Sequence, residues 1–262
     1  MVDMVQMFNT SLSEEVESYT RLFTTFLPQP FSVDTLQTRT INGLNVPLLK
    51  GGETELHENT TFSDDFLNRT GAISTLFVRS GNDFIRVATS LRKENGERAM
   101  GTVLDTSSPA FAAANKGDVY RGLALLFGKR YITQYQPVKN AEGQVIAIVF
   151  VGVDISHSWN VMREKILNRR LGESGHFFVL DRSNGKTRGQ YLFHNTEEGQ
   201  LPKWDSATQQ QLLGDKPGTL ERVSDDGRTL KMAYTPLPGW NWTIVGEVDK
   251  SVLLSSVTAM RD

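Results

Sequence analysis

Cysteine is absent from the 262 residues of the sequence. That excludes a disulfide scaffold, a thiolate metal site and a cysteine nucleophile. No run of about 18 apolar residues occurs, so no stretch of this sequence reads as a membrane-spanning helix. The apolar stretch at 2–8 is short and broken by Asp3 and Gln6, and it does not read as a signal peptide. An excess of charge of one sign is lacking too. Lys and Arg number 28 against 30 Asp and Glu, for a net charge of −2. Nothing in that balance suggests nucleic acid or an anionic membrane surface as a partner. Histidine is sparse: His57, His157, His176 and His194 are scattered without metal-ligand spacing. A Gly-x-Ser-x-Gly elbow, a P-loop and a dinucleotide fingerprint are all missing. Asp64-Asp65 and Asp225-Asp226 read as solvated loops or helix starts rather than acid–base pairs. The chain is therefore expected not to be an enzyme, with no catalytic residue, no metal site and no cofactor.

What is present is patterned. Val5, Phe8, Leu12, Val16, Tyr19, Phe23 and Phe26 recur at spacings of three or four, which predicts an amphipathic helix stopped by Pro28 and Pro30. Such a stripe packs on its own domain or also on a second chain. Residues 31–71 are weakly patterned, with short strands expected at 31–33 and 46–49. A helix is expected at 60–68, closed by Gly71. From Ala72 the pattern becomes strands and turns: 74–79 and 84–89 around a hairpin turn, then 119–127, 131–138 and 144–154. Ser108-Pro109 opens a short helix between them. The last of these strands is nearly all apolar and is expected to be central. Ser156 caps a helix predicted to reach about 171. A second strand-rich block follows, with strands at 176–181, 191–194, 218–223, 229–235 and 240–249 and a helix at 206–213. A closing helix is expected over 250–260. Trp159, Trp204, Trp240 and Trp242 read as packing residues rather than a ligand cage.

The two strand blocks resemble each other. Tyr135-Gln136-Pro137-Val138 parallels Tyr234-Thr235-Pro236-Leu237, and Val151-Gly152-Val153-Asp154 parallels Val245-Gly246-Glu247-Val248-Asp249. Leu76-Phe77-Val78-Arg79 parallels Phe177-Phe178-Val179-Leu180. Each block ends on an acid followed by a helix. Two degenerate copies of one α+β unit account for this, and only the first carries the arginine pair Arg86 and Arg98.

Those arginines carry the sharpest chemistry, since a guanidinium presents a planar donor fork that matches a carboxylate. Alternation places Arg86 on one strand face with Phe84 and Ala88. Thr89, Ser90 and Thr102 offer hydroxyls, and Tyr120, Tyr131 and Tyr135 offer apolar walls with polar tips. Few polar groups converging on apolar walls is the usual arrangement of a small-ligand pocket. The candidate ligand-binding set is therefore Arg86, Thr89, Arg98, Thr102, Tyr120, Tyr131 and Tyr135. The competing reading makes the arginines solvated, or partners in structural ion pairs such as Asp83 or Glu97.

The motifs Asp83-Phe84-Ile85-Arg86-Val87-Ala88-Thr89-Ser90, Gly96-Glu97-Arg98-Ala99-Met100-Gly101-Thr102, Tyr120-Arg121-Gly122, Tyr131-Ile132-Thr133 and Tyr135-Gln136-Pro137 resemble the extracellular double-Cache sensor domains of bacterial receptors. The likeness is to the fusion of a Cache type 3 with a Cache type 2 unit. Gly172-Glu173-Ser174-Gly175-His176-Phe177-Phe178-Val179-Leu180-Asp181 resembles the second of these, with His194-Asn195 where such units often carry His-Pro. The resemblance implies an α+β fold in which a long N-terminal helix precedes two PAS-like antiparallel-sheet units. The implied organisation is a stalk helix at 1–30, a membrane-distal ligand-binding unit at 31–155, a connector helix at 156–172, a membrane-proximal unit at 173–249 and a helix at 250–262 leading to the membrane. It also implies the periplasmic part of an inner-membrane chemotaxis receptor, a methyl-accepting chemotaxis protein whose flanking transmembrane helices lie outside this segment. A small organic anion is the ligand that the arginines suggest, and a homodimer through the first helix is the implied assembly. Two alternatives stay open: a sensor of a histidine kinase or diguanylate cyclase with the same fold, and a dimerising or partner-docking module that binds no small molecule.

Overall fold

In the computed structural model the structure describes residues 1–253. The first helix, α1 (Val2–Phe26), follows the apolar stripe. Val5, Leu12, Val16, Thr20 and Phe23 are buried along it. Thr20 turns its hydroxyl back to the Val16 carbonyl at 2.7 Å, which satisfies a polar side chain inside the stripe. The chain forms two compact units, one of Thr10–Ser156 and one of Met1–Asn9 with the chain from His157 onward, so α1 contributes to both.

In the first unit, residues 31–55 form more regular structure than the sequence pattern predicts. The strands β1 (Phe31–Ile41), β2 (Leu44–Gly51) and β3 (Thr54–Glu55) make a three-stranded antiparallel sheet. The signal is weak because most of β1 faces solvent, leaving no apolar alternation to read. Helix α2 (Thr61–Thr70) ends on Gly71 in the left-handed region at φ 75°. Its Phe66 is fully buried. The rings of Tyr19, Phe23 and Phe26 meet Phe66 at 6.1, 5.0 and 5.6 Å, anchoring α1 to this unit. Burial of that one side chain contributes about 2–3 kcal/mol.

The main sheet of the unit follows. It comprises β4 (Ile73–Ser80), β5 (Asp83–Thr89), β6 (Tyr120–Leu126), β7 (Lys129–Lys139) and β8 (Val145–Asp154), in the order β5-β4-β8-β7-β6. The apolar strand β8 is central, as its composition predicts. Helix α3 (Pro109–Lys116) starts at Ser108, whose hydroxyl accepts the Phe111 N–H at 3.1 Å.

The second unit repeats the plan. Helix α4 (Ser156–Leu167) stops four residues short of the predicted end. Strands β9 (His176–Asp181), β10 (Tyr191–Phe193), β11 (Gly218–Val223), β12 (Thr229–Leu237) and β13 (Trp242–Asp249) are ordered β10-β9-β13-β12-β11, with helix α5 (Ser206–Leu212) between β10 and β11. In chain order this is the same topology as the first sheet. Trp159, Phe193 and Trp242 form a mutual edge-to-face cluster at 5.0–5.3 Å, as packing residues should. Of the predicted closing helix, Lys250 to Leu253 are helical and the remainder lies outside the described residues.

Register both strengthens and corrects the internal repeat. Asp154 and Asp249 each accept hydrogen bonds from the N–H and hydroxyl of the serine two residues on, Ser156 and Ser251, and so start a helix in the same way. Ser156 is thus the first helical residue rather than the cap. Tyr135 lies opposite Phe150, and Tyr234 lies opposite Val245. Counted from those pairs, Gly152 corresponds to Glu247, not to Gly246. Likewise Thr75, opposite Phe150, corresponds to Phe178, opposite Val245. The upstream match read from sequence is therefore displaced by two residues, which preserves the face but changes the partners.

Candidate ligand-binding site

A β-bulge decides which residues share the inner face of the first unit's sheet. Phe77 pairs with Arg86 and Thr75 with Thr89, with the register shifting between Leu76 and Phe77. The extra residue on β5 puts Arg86 and Thr89, three apart, on one face. Simple alternation predicts Ala88 there, and that expectation is corrected. Cross-strand neighbours share a face, so one row across the sheet reads Thr89, Thr75, Phe150, Tyr135 and Tyr120. The adjacent row reads Arg86, Phe77, Ile148 and Pro137. Leu91, Ala99 and Leu104 from the segment after β5, and Ala110 and Ala114 from α3, cover this face.

Arg86 is the charged residue in that interior. Its relative exposure is 5%, and its side chain forms no ion pair among the described residues. Nη1 donates to the Thr102 hydroxyl at 2.5 Å. The guanidinium carbon sits 4.7 Å from the centre of the Phe77 ring. Nε is buried without a partner. Burial holds the guanidinium down at about 10, with the Tyr135 phenol acting slightly in the opposite direction. At neutral pH it remains a cation, and it is poorly compensated.

Tyr135 is buried against Phe150, with ring centres 4.7 Å apart, and lies 6.3 Å from Phe77 and 6.1 Å from Tyr120. Burial pushes its phenol up to about 12, so it is a neutral donor. Tyr120 is half-buried, and its phenol is raised by the same cause. Tyr120 also lies across Gly122, where an added Cβ would approach the phenol oxygen to 2.5 Å. Arg86 and Tyr135 thus flank Phe77, with Thr102 bonded to Arg86 and Tyr120 packed on Tyr135.

The other expected site residues are engaged elsewhere. Arg98 makes a bidentate pair with Asp64 in the first turn of α2, both contacts at 2.7 Å, and donates to the Thr89 carbonyl at 2.9 Å. Its partner is neither Asp83 nor Glu97, and Asp64 is not a merely solvated helix start. The Arg98 guanidinium holds the Asp64 carboxyl below its ordinary range. The Thr89 hydroxyl bonds Thr75 at 2.6 Å and the Ser74 carbonyl at 3.1 Å, and accepts the Leu91 N–H at 3.0 Å, which fills its capacity. Tyr131 is buried opposite Asp154, with its phenol raised by burial and then by that carboxylate. The aromatic residues Phe77 and Phe150 are neighbours of Arg86 and Tyr135 that residue-type reasoning did not select. Only the bulged register identifies them.

The second unit offers a contrast. Its buried carboxylate Glu247 accepts from Arg222 Nε and Nη2 at 3.0 and 2.9 Å and lies 3.6 Å from His176. That charge is already compensated from within the unit. A recess of about 460 Å³ on this unit is lined by Met1, Val2, Leu171, Phe177, Tyr234 and Ile244, among others, with no charged side chain among them.

Comparison with known sequences settles the family. The profile of the Cache 3/Cache 2 fusion domain matches residues 1–262. The chain belongs to the Cache 3/Cache 2 fusion domain family. Cache domains are extracellular or periplasmic sensor modules. No curated protein matches the sequence. Among solved structures, the ligand-binding domain of the Campylobacter jejuni chemoreceptor Tlp3 in complex with L-valine is similar at 11% identity and a TM-score of 0.52, covering 95% of this chain and 88% of that one. The same receptor's sensory domain with isoleucine bound is similar at 11% identity, a TM-score of 0.50 and the same coverage. The sensor domain of the Vibrio cholerae histidine kinase DctB is similar at 15% identity and a TM-score of 0.45, over 73% of this chain and 77% of that one. At these identities the likeness to the two Tlp3 structures is one of fold alone. No helix among the described residues of this Cache domain is long and apolar enough to cross a membrane.

Proposed function

We propose that this Cache domain is the ligand-sensing part of a transmembrane bacterial receptor, of the chemoreceptor class, and that it binds a small organic anion beside Arg86 in the first unit. One observation carries the reading. A guanidinium 5% exposed stands over the Phe77 ring with Nε unpartnered and, among the described residues, no carboxylate paired to it. Buried charges are ordinarily paired, because an uncompensated one is costly. A ligand carboxylate supplies the missing partner, accepting from Arg86 with Tyr135 as a neutral second donor. The two-arginine clamp expected from sequence gives way to a single anchor, since Arg98 is held by Asp64. Entry requires the segment at 91–104 or α3 to move aside, because the anchor is covered.

Signalling then needs a route from the site to α1. Tyr120 and Arg121 are adjacent on β6 and point to opposite faces. Tyr120 borders the site, while Arg121 bonds Gln134 at 2.8 Å and reaches Glu17 of α1 at 3.3 Å. A ligand that reseats Tyr120 therefore bears on a strand tied directly to α1. Binding need only bias two existing states by a few kcal/mol. The membrane-distal placement of this unit, the inner-membrane anchor and a homodimer through α1 belong to the same proposal. Calorimetry with a panel of organic acids on wild type and Arg86→Met tests it. Saturable binding abolished by the substitution, with the circular dichroism spectrum intact, is expected. Undiminished binding to the variant would refute the assigned site.

A further inference from the structure

We propose that the ligand is a monoanion with an apolar body, and that zwitterionic amino acids and dicarboxylates are excluded; this rests on the site assignment above. The argument is charge compensation within a buried volume. Among the described residues, Arg86 is the one fully buried cation on the first unit's inner face, and it lacks a counter-ion. Nearby arginines are already committed. Arg98 is neutralised by Asp64. Arg79 lies over the Phe84 ring at 4.4 Å and donates to the Val145 carbonyl at 2.7 Å and to Asn115 at 3.0 Å. A ligand with two carboxylates would leave the second without a counter-charge in an interior walled by Phe77, Phe150 and Tyr120, where burying an unpaired ion is strongly unfavourable.

The same accounting rejects an amino acid. Its ammonium lies within a few ångströms of its carboxylate and hence close to the Arg86 guanidinium. No aspartate or glutamate acts on Arg86 among the described residues. The Phe77 face, the natural place for a second cation, is already occupied by Arg86 itself. A monocarboxylate meets every requirement: one charge for one charge, a second oxygen for the Tyr135 hydroxyl, and a hydrocarbon or aromatic tail for the rings of Phe150 and Tyr120. Discrimination comes from leaving the wrong ligand's extra charge buried and unpaired, which is a strong form of selectivity.

The test is a thermal-shift and calorimetric panel on the intact wild-type chain, using propionate, butyrate, benzoate, succinate, alanine, valine and propylamine as probes. At a hundredfold excess over its Kd, at least one monocarboxylate is expected to raise Tm by about 5 °C or more. Succinate, the amino acids and the amine are expected to leave Tm unchanged. Arg86→Met should abolish the shift. Arg86→Lys, which keeps the charge but loses the planar fork, should weaken binding about tenfold or more. An amino acid or dicarboxylate that binds and is lost in Arg86→Met overturns this inference and leaves the site assignment standing. Binding of any probe that survives Arg86→Met, or no binding by any anion, overturns both.

Discussion

Arg86→Met should stabilise the ligand-free protein. The wild-type guanidinium is buried with Nε unpartnered. Burial holds it at about 10, two to three pH units beneath the ordinary guanidinium value. At ~1.4 kcal/mol per unit, keeping the charge in place costs roughly 3 kcal/mol. Two contacts offset part of this. The hydrogen bond to Thr102 contributes about 1 kcal/mol, and the seat over Phe77 contributes about 0.5–1 kcal/mol. Methionine fills most of the same volume without the charge. It leaves no orphaned partner, because the Thr102 hydroxyl still donates to the Ala99 carbonyl at 2.8 Å. The balance is a gain of about 1–2 kcal/mol, in line with the replacement of buried ionic groups by apolar ones. Urea unfolding of exhaustively dialysed wild type and variant, followed by circular dichroism, measures it. The midpoint should rise at unchanged m. With a saturating ligand the order should reverse, since only wild type gains from binding. A variant less stable than ligand-free wild type by about 2 kcal/mol would refute the reasoning. Arg86 would then be a structural tie, and its unpartnered Nε would no longer mark a binding site.

Arg121→Ala should leave ligand affinity within about twofold while blunting the output of a receptor carrying it, because Arg121 faces α1 and not the site; calorimetry paired with a chemotaxis or kinase readout separates the two effects. Asp64→Asn should destabilise the first unit by about 1 kcal/mol, a figure already reduced for the partial exposure of the pair, as read by chemical denaturation. The Asp64 carboxyl is depressed by Arg98, so its contribution is present above the unfolded value near 4 and disappears as pH falls through the folded value. His57 and His194 are depressed chiefly by burial, so the unfolded chain binds the extra protons and stability falls as pH drops below about 6.5. Protonation would also break accepted hydrogen bonds: His57 Nε2 accepts the Leu49 N–H at 3.0 Å, and His194 Nδ1 accepts from Thr196 and Glu197 at 3.1 and 3.0 Å. His194→Asn should flatten part of that acid limb in a pH series of thermal melts. Gly101→Ala should cost about 2 kcal/mol or more in the same assay, because φ is 76° and the new Cβ would approach Asn42 Cβ to 2.6 Å.

The fold was legible where one physical signal dominated. The α1 stripe, the all-apolar β8 and the paired strand blocks each follow from periodicity, and the Asp-x-Ser helix starts confirm the repeat at atomic level. The β1–β2 hairpin was largely hidden because an exposed strand carries no hydrophobic alternation. The candidate site was half legible. Residue chemistry singled out Arg86, Thr102, Tyr120 and Tyr135, which lie in a chain of neighbours along one side of the sheet. It could not distinguish Arg86 from Arg98, since the Asp64 that neutralises Arg98 is 34 residues away in sequence. Nor could it place Thr89 and Phe77 beside Arg86, because a single-residue bulge inverts the face assignment of everything beyond it. The same sensitivity to register explains why the Val-Gly match between the two blocks aligns letters that lie on opposite faces.

The most direct measurement is the Nε–H resonance of Arg86 in 15N–1H spectra, assigned by its disappearance in Arg86→Met and followed while a monocarboxylate such as butyrate or benzoate is titrated in. A carboxylate arriving at the unpartnered Nε should move that proton markedly downfield, saturating at the calorimetric Kd. An Arg86 Nε–H that stays in place while the ligand saturates the protein would contradict the account.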